Sequence, residues 1–202
     1  MISTTVNPAL GYIHIRVPQQ YLRQPVVSRL ISRYNLIINI TAAFLEPHTA
    51  KDGWFHLEIQ GNSQQIEAGF AYLETLNVEI VQLQITSCVK ESMENLKSNF
   101  NYSYSQEEQR VYLSEGEGQT TRAKFQVCIP KMYRTSPIIT RLVSCYGLTV
   151  NITGASLNSK TEDGWFDLEL WGRRQQIVDG LRYLRELGLQ IWLSSRQETL
   201  LN

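Results

Sequence analysis

Little in these 202 residues is the raw material of chemistry. The three cysteines, Cys88, Cys128 and Cys145, are odd in number, unrelated in spacing and contain no Cys-x-x-Cys. That excludes a disulfide frame, a zinc knuckle or an iron–sulfur cluster, and it fits a reducing cytoplasm. Three histidines, His14, His48 and His56, leave little for a metal or acid–base centre. Net charge is absent too: nineteen Lys and Arg balance nineteen Asp and Glu. A chain so balanced exerts little long-range pull on phosphate backbones, so no nucleic-acid partner is expected. No run approaches the ~20 apolar residues that cross a bilayer, so no membrane insertion is expected. Met1–Leu10 lacks the basic start and apolar stretch of a secretory signal.

What the chain does have is a duplication. Val17-Pro18, Tyr21, Pro25, Arg29-Leu30, Tyr34, Leu36 and Asn39-Ile40-Thr41 return as Ile129-Pro130, Tyr133, Pro137, Arg141-Leu142, Tyr146, Leu148 and Asn151-Ile152-Thr153, an offset of 112. Asp52-Gly53-Trp54-Phe55, Leu57-Glu58, Gly61, Gln64-Gln65-Ile66, Gly69 and Tyr72-Leu73 return at an offset of 111, beginning at Asp163. Residues 16–45 against 128–157, with 52–82 against 163–193, give 28 identities in 61 positions. A unit of about 70 residues exceeds the ~20–50 of solenoid repeats. Two copies of a small domain are therefore expected, at 11–84 and 123–195.

Both copies have the same pattern. Ile13, Ile15 and Val17 alternate with Tyr12, His14 and Arg16, the period of a half-buried strand. A helix follows, with Pro25 or Pro137 in its first turn, Ser136 as an N-cap and a stripe of Val27, Leu30, Ile31 and Tyr34. The second strand is expected to put Leu36, Ile38, Ile40 and Ala42 on one face and Ile37, Asn39, Thr41 and Ala43 on the other. The third sends Phe55, Leu57 and Ile59 inward, with Trp54, His56 and Glu58 outward. A second helix carries Ile66, Phe70 and Leu73 beside Gly69, whose place on the stripe implies close backbone packing. A last strand closes the unit.

The order β-α-β-β-α-β predicts an α+β chain of two ferredoxin-like domains, each a four-stranded antiparallel sheet with both helices on one face. The uncovered faces would carry Asn39, Thr41, Trp54 and Glu58 in one copy, and Asn151, Thr153, Trp165 and Glu169 in the other. These eight are the candidate ligand-binding residues. Exposed tryptophans on a bare sheet mark an interface. Alternatively, the asparagines bond neighbouring backbone and the tryptophans only pack. His56 is matched by Asp167, so no catalytic or metal role is shared between copies. No nucleophile–base pair recurs either, so neither an enzyme nor a cofactor is expected. Residues 85–122 form the linker, in which Val89, Met93, Leu96 and Phe100 predict a short amphipathic helix over 88–100.

These motifs resemble the NIL domain: the strand ending in Asn-Ile, the Gly-aromatic hairpin, Gly61 and the Gln-Gln-Ile helix. The resemblance covers residues 12–83 and 124–194, with Asn39-Ile40-Thr41 and Asn151-Ile152-Thr153 standing where the family has Asn-Ile-Leu. That family is an ACT-related regulatory module at the C-terminus of the methionine-importer ATPase subunit. The resemblance implies pairing of two copies through the second strand, with methionine bound at their interface and Asn39 and Asn151 in contact with it. No Gly-x-x-x-x-Gly-Lys-[Ser/Thr] is present, so the chain is not itself the ATPase. Pairing within one chain, or between two chains, would cover the exposed edge of the second strand. The reading that follows is a cytoplasmic, non-enzymatic sensor of an amino-acid-like ligand. Its alternative is an interaction module that docks a protein partner on its open sheet faces.

Overall fold

The period-2 segments of both copies form the strands of one sheet. The computed structural model describes residues 8–47, 49–87, 120–158 and 163–193. The first half contains β1 (Pro8–Val17), α1 (Val26–Tyr34), β2 (Ile37–Leu45), β3 (Gly53–Asn62), α2 (Ser63–Thr75) and β4 (Glu79–Ser87). The second contains β5 (Thr120–Ile129), α3 (Ile138–Ser144), β6 (Thr149–Leu157), β7 (Gly164–Arg173), α4 (Arg174–Glu186) and β8 (Gln190–Leu193). The order β-α-β-β-α-β thus appears twice. The linker helix expected over 88–100 lies outside the described residues.

A four-stranded sheet was expected in each copy; the strands form one antiparallel sheet of eight, ordered β4-β1-β3-β2-β6-β7-β5-β8. The halves join where β2 pairs with β6, through Ala43 with Leu157, Phe44 with Ser156 and Leu45 with Ala155. Phe44 faces its own repeat equivalent, so an approximate twofold axis passes between these two residues. The join satisfies the edge groups that β2 and β6 would otherwise leave unpaired. One hydrophobic cluster runs through both halves, from Ile15, Leu30 and Ile38 to Leu142, Val150 and Leu184. The helix layer crosses the join: α1 lies on α3 and β6, and α3 lies on β2.

Three local expectations need correction. Ala43 was expected beside Asn39 and Thr41, yet it is buried with Leu45. The cause is a bulge at Thr41, where the register with β3 shifts between Ile40 and Ala42. One extra residue reverses every later side chain, so Phe44 comes out to solvent beside Trp54. Pro25 and Pro137 are the N-cap residues themselves, and no side chain caps α1 or α3, Ser136 included.

The expectation for Gly69 holds. A Cβ there would lie 2.9 Å from Leu36 Cδ1, and one at Gly180 would lie 2.6 Å from Leu148 Cδ1. Leu36 and Leu148 each wedge between a glycine of the third strand and a glycine of the second helix.

Candidate functional site

The site grows out of the β2–β6 join. Only three residue pairs form the ladder; before them the strands diverge, and the first helix of the opposite half fills the gap. Thr140 on α3 answers the exposed edge of β2: its Oγ1 accepts from the Ile38 N–H at 2.9 Å and donates to the Ile38 carbonyl at 2.8 Å. Ser28, its repeat equivalent on α1, accepts from the Val150 N–H of β6 at 3.2 Å. Both hydroxyls are buried. Left unpaired there, these backbone groups would each cost ~1–3 kcal/mol; bonded, they tie the halves together.

Asn39 and Asn151 reach across the same join. Asn39 Nδ2 donates to the Arg134 carbonyl at 2.8 Å, and Asn151 Nδ2 donates to the Leu22 carbonyl at 3.4 Å. Each carbonyl belongs to the connection between the first strand and first helix of the opposite half. In each copy that connection begins with a single 3-10 turn. Asp52 and Asp163 hold the turns, their Oδ1 atoms accepting from the Gln19 and Lys131 N–H groups at 2.9 Å.

Beside each asparagine is a cleft with walls from both halves. One is lined by Ile38, Asn39 and Ile40 against Tyr133, Arg134, Ile138, Ile139 and Phe166. The other is lined by Val150, Asn151 and Ile152 against Tyr21, Leu22, Val26, Val27 and Phe55. As they stand they enclose about 30 and about 20 Å³, each room for roughly one water. The clefts are built from equivalent elements but differ in charge: Arg134 in the first stands where the second has Leu22, and Lys131 also lines the first.

The other six sequence candidates lie elsewhere. Thr41 Oγ1 donates to the His56 carbonyl at 3.2 Å and Thr153 Oγ1 to the Asp167 carbonyl at 3.1 Å. These hydroxyls latch the bulges, which accounts for Thr as the third residue of both triplets. Glu58 lies opposite Asn39 in the ladder and accepts from Gln60 Nε2 at 3.1 Å. Glu169 lies opposite Asn151, buried, paired with Arg122 and 3.9 Å from Lys124 Nζ. Trp54 and Trp165 stand on the solvent face of the sheet, Trp54 under the Arg16 guanidinium and Trp165 stacked on Trp192 at 5.1 Å. Beside Trp54, over the join, runs an open groove of about 410 Å³ lined by Ala42, Phe44, Trp54, His56, Ser156 and Asn158. Of the eight candidates, only the asparagines line the clefts and only Trp54 lines the groove; the threonines, the glutamates and Trp165 are engaged elsewhere on the sheet.

Sequence reasoning passed over Ser28, Thr140 and Arg134. Ser28 and Thr140 did carry a signal, since a hydroxyl recurs beside Val27 and Ile139 within an otherwise apolar buried stripe. Arg134 had none, because nothing in copy one matches it.

Among titratable groups, burial and then the neighbouring His56 push His14 below the usual imidazole value. Burial, then Asp163, pushes the Cys128 thiol up, which makes it a poor nucleophile. No group of three or more His, Cys, Asp or Glu among the described residues is placed to hold a metal.

The chain is similar to several known proteins. A protein of Synechocystis, ssr2439, is 39% identical over 85 residues, which are 42% of this chain and 88% of that one. A Synechococcus elongatus protein, Synpcc7942_1683, is 35% identical over 68 residues, 34% of this chain and 84% of that one. Both relatives are thus about one copy long. Among solved structures, the C-terminal domain of an ABC transporter ATP-binding protein from Enterococcus faecalis aligns at 19% identity. That alignment covers 42% of this chain and 88% of that domain, with a TM-score of 0.30. The family model of the NIL domain matches twice, at residues 12–81 and 124–192. The chain belongs to the NIL domain family and carries two copies of its domain.

Proposed function

We propose that the chain is a non-enzymatic regulatory sensor whose two domains, 11–84 and 123–195, bind an amino-acid-like ligand, methionine or a close relative, at the join between them. One observation carries the reading: each cleft beside Asn39 or Asn151 is made from both halves. A ligand that enters must change how the halves pack, and binding shifts an equilibrium only as far as it distinguishes the two states. Neither cleft has room for an amino acid as it stands, so entry requires the 3-10 turn of one half to move off the asparagine of the other. The asparagine amide then exchanges a backbone carbonyl for the ligand.

The Arg134 cleft is the stronger candidate. Its guanidinium, which gives one N–H to the Asn158 carbonyl at 2.9 Å, places a positive charge that suits a carboxylate. Apolar Tyr133, Ile139 and Phe166 suit a thioether or aliphatic side chain. The Leu22 cleft offers no such charge.

A thermal-shift screen of the twenty amino acids tests the proposal. A ligand at ~100 times its dissociation constant adds ~2.7 kcal/mol of stability. Asn39→Ala and Arg134→Ala should each reduce that shift, and Leu22→Ala should not. A melting curve unmoved by every amino acid refutes the sensor reading.

A second reading is favoured by the solvent-side groove, where Phe44 is 52% and Trp54 37% exposed. Aromatic exposure on that scale suits a protein partner. Stoichiometric capture of a partner by the full chain, lost in Phe44→Ser, supports docking in place of sensing.

A further inference from the structure

We propose that His14 and His56 form a two-imidazole site for a borderline transition-metal cation, Cu2+ or Ni2+ in preference to Mg2+, on the solvent face of the first half. The two residues are directly opposite in the β1–β3 ladder. Their rings face one another, centroids 4.0 Å apart and tilted by 31°. Two nitrogens each ~2.0–2.1 Å from one ion are separated by about 2.9–3.4 Å, so chelation requires the two side chains to turn until one nitrogen of each points at the ion. His14 is half-buried and His56 exposed, so one ligand is held while the other faces incoming solvent and the ion completes its shell with water.

Trp54 stands 5.3 Å from His14, so its emission reports on an ion bound between the two imidazoles.

The second half shows what the same positions do without the pair. Gln126 and Asp167 stand there and simply hydrogen-bond at 3.1 Å. A structural role at this register is thus filled by an amide and a carboxylate, and two imidazoles are not needed for it. Imidazole is a preferred ligand of Cu2+ and Ni2+, whereas Mg2+ takes oxygen. The site is independent of the clefts at the join and stands or falls apart from the sensor reading.

The test uses the full chain without a histidine tag, titrated with CuCl2, NiCl2 and MgCl2 by calorimetry and tryptophan emission. The expected result is one Cu2+ per chain, Ni2+ bound more weakly in keeping with the order of divalent affinities, no response to Mg2+, and quenching of emission by Cu2+. Loss of one arm of the chelate in H14Q or H56Q should weaken Cu2+ by at least about tenfold, ~1.4 kcal/mol. H48Q should bind as the parent does. Metal-free melting curves of the variants establish that they fold. Uptake as tight in H14Q and H56Q as in the parent overturns the proposal, as does an equal loss in H48Q or a parent chain that takes up no Cu2+.

Discussion

Replacing Thr140 by valine keeps its shape and removes one oxygen, and that oxygen is what satisfies the edge of β2. Its hydroxyl accepts from the Ile38 N–H at 2.9 Å and donates to the Ile38 carbonyl at 2.8 Å. Thr140 is 6% exposed and Ile38 fully buried, so water cannot take over either bond without opening the join. Two buried backbone groups at ~1–3 kcal/mol each set a cost of about 2–6 kcal/mol, which the extra apolar methyl lowers by ~1 kcal/mol. Ser28→Ala removes one longer bond, to Val150 N–H at 3.2 Å, and should cost about 1–2 kcal/mol. Urea denaturation of the full chain reads both as shifts of midpoint. For a chain of this size each kcal/mol moves the melting temperature by ~2–4 °C. Because one hydrophobic cluster spans both halves, the parent should unfold in a single transition. A Thr140→Val cost below about 0.5 kcal/mol would show that Ile38 finds other partners, since that is the range of surface substitutions away from such features. It would refute the claim that this hydroxyl ties the halves together.

Other outcomes follow from local packing and charge. Gly180→Ala gains ~1 kcal/mol of helix propensity but puts a Cβ 2.6 Å from Leu148 Cδ1. Overpacking at ~1–3 kcal/mol should win, lowering the urea midpoint. Gly188→Ala meets no atom within 4 Å, yet its φ is 74°, so a loss of about 1–2 kcal/mol from backbone strain alone is expected in the same assay. Acidification acts through His14. Its lowered value means that the folded state binds fewer protons than the unfolded one, so this contribution is present above the ordinary imidazole range and is lost as pH falls through it. The melting temperature of H14Q should therefore fall less than that of the parent between pH 7.5 and pH 5.5, both near the imidazole range. Cys128, buried and with its thiol pushed up, should react slowly with a thiol reagent at neutral pH and rapidly after unfolding.

The duplication and the order of elements were legible because both rest on side-chain identity and period. Some physically identical positions were hidden because different residues meet the same demand. Asn35 and Gly147 both take positive φ at the end of the first helix, and Asn77 and Gly188 do so after the second. A left-handed residue is required at each, and either Asn or Gly supplies it. The recurring second glutamine was visible but its role was not. Gln65 Oε1 accepts from the Asn62 N–H and Gln176 Oε1 from the Arg173 N–H, each at 2.8 Å, closing the start of the second helix. The bulges at Thr41 and Thr153 were invisible, because alternation gives no warning of an inserted residue and everything after it changes face. That one residue moves Ala43 to the buried face and brings Phe44, opposite Trp54, onto the face where Asn39 lies opposite Glu58.

Fusing two copies into one chain also changes what each copy is free to become. In a symmetric homodimer every substitution appears twice, so both clefts and both solvent faces stay alike. Here they do not. Arg134 answers Leu22, the His14–His56 pair answers Gln126 and Asp167, and Arg122, beside Glu169, answers Leu10. The residues that hold the join have kept their chemistry, hydroxyl against hydroxyl and asparagine against asparagine. Where the bond uses only the backbone, as at Leu22 and Arg134 or Phe44 and Ser156, the side chain has been free to change. A pair kept only for folding has no need of such differences. Two unlike clefts and two unlike faces on one shared sheet are what fusion permits and a symmetric homodimer forbids.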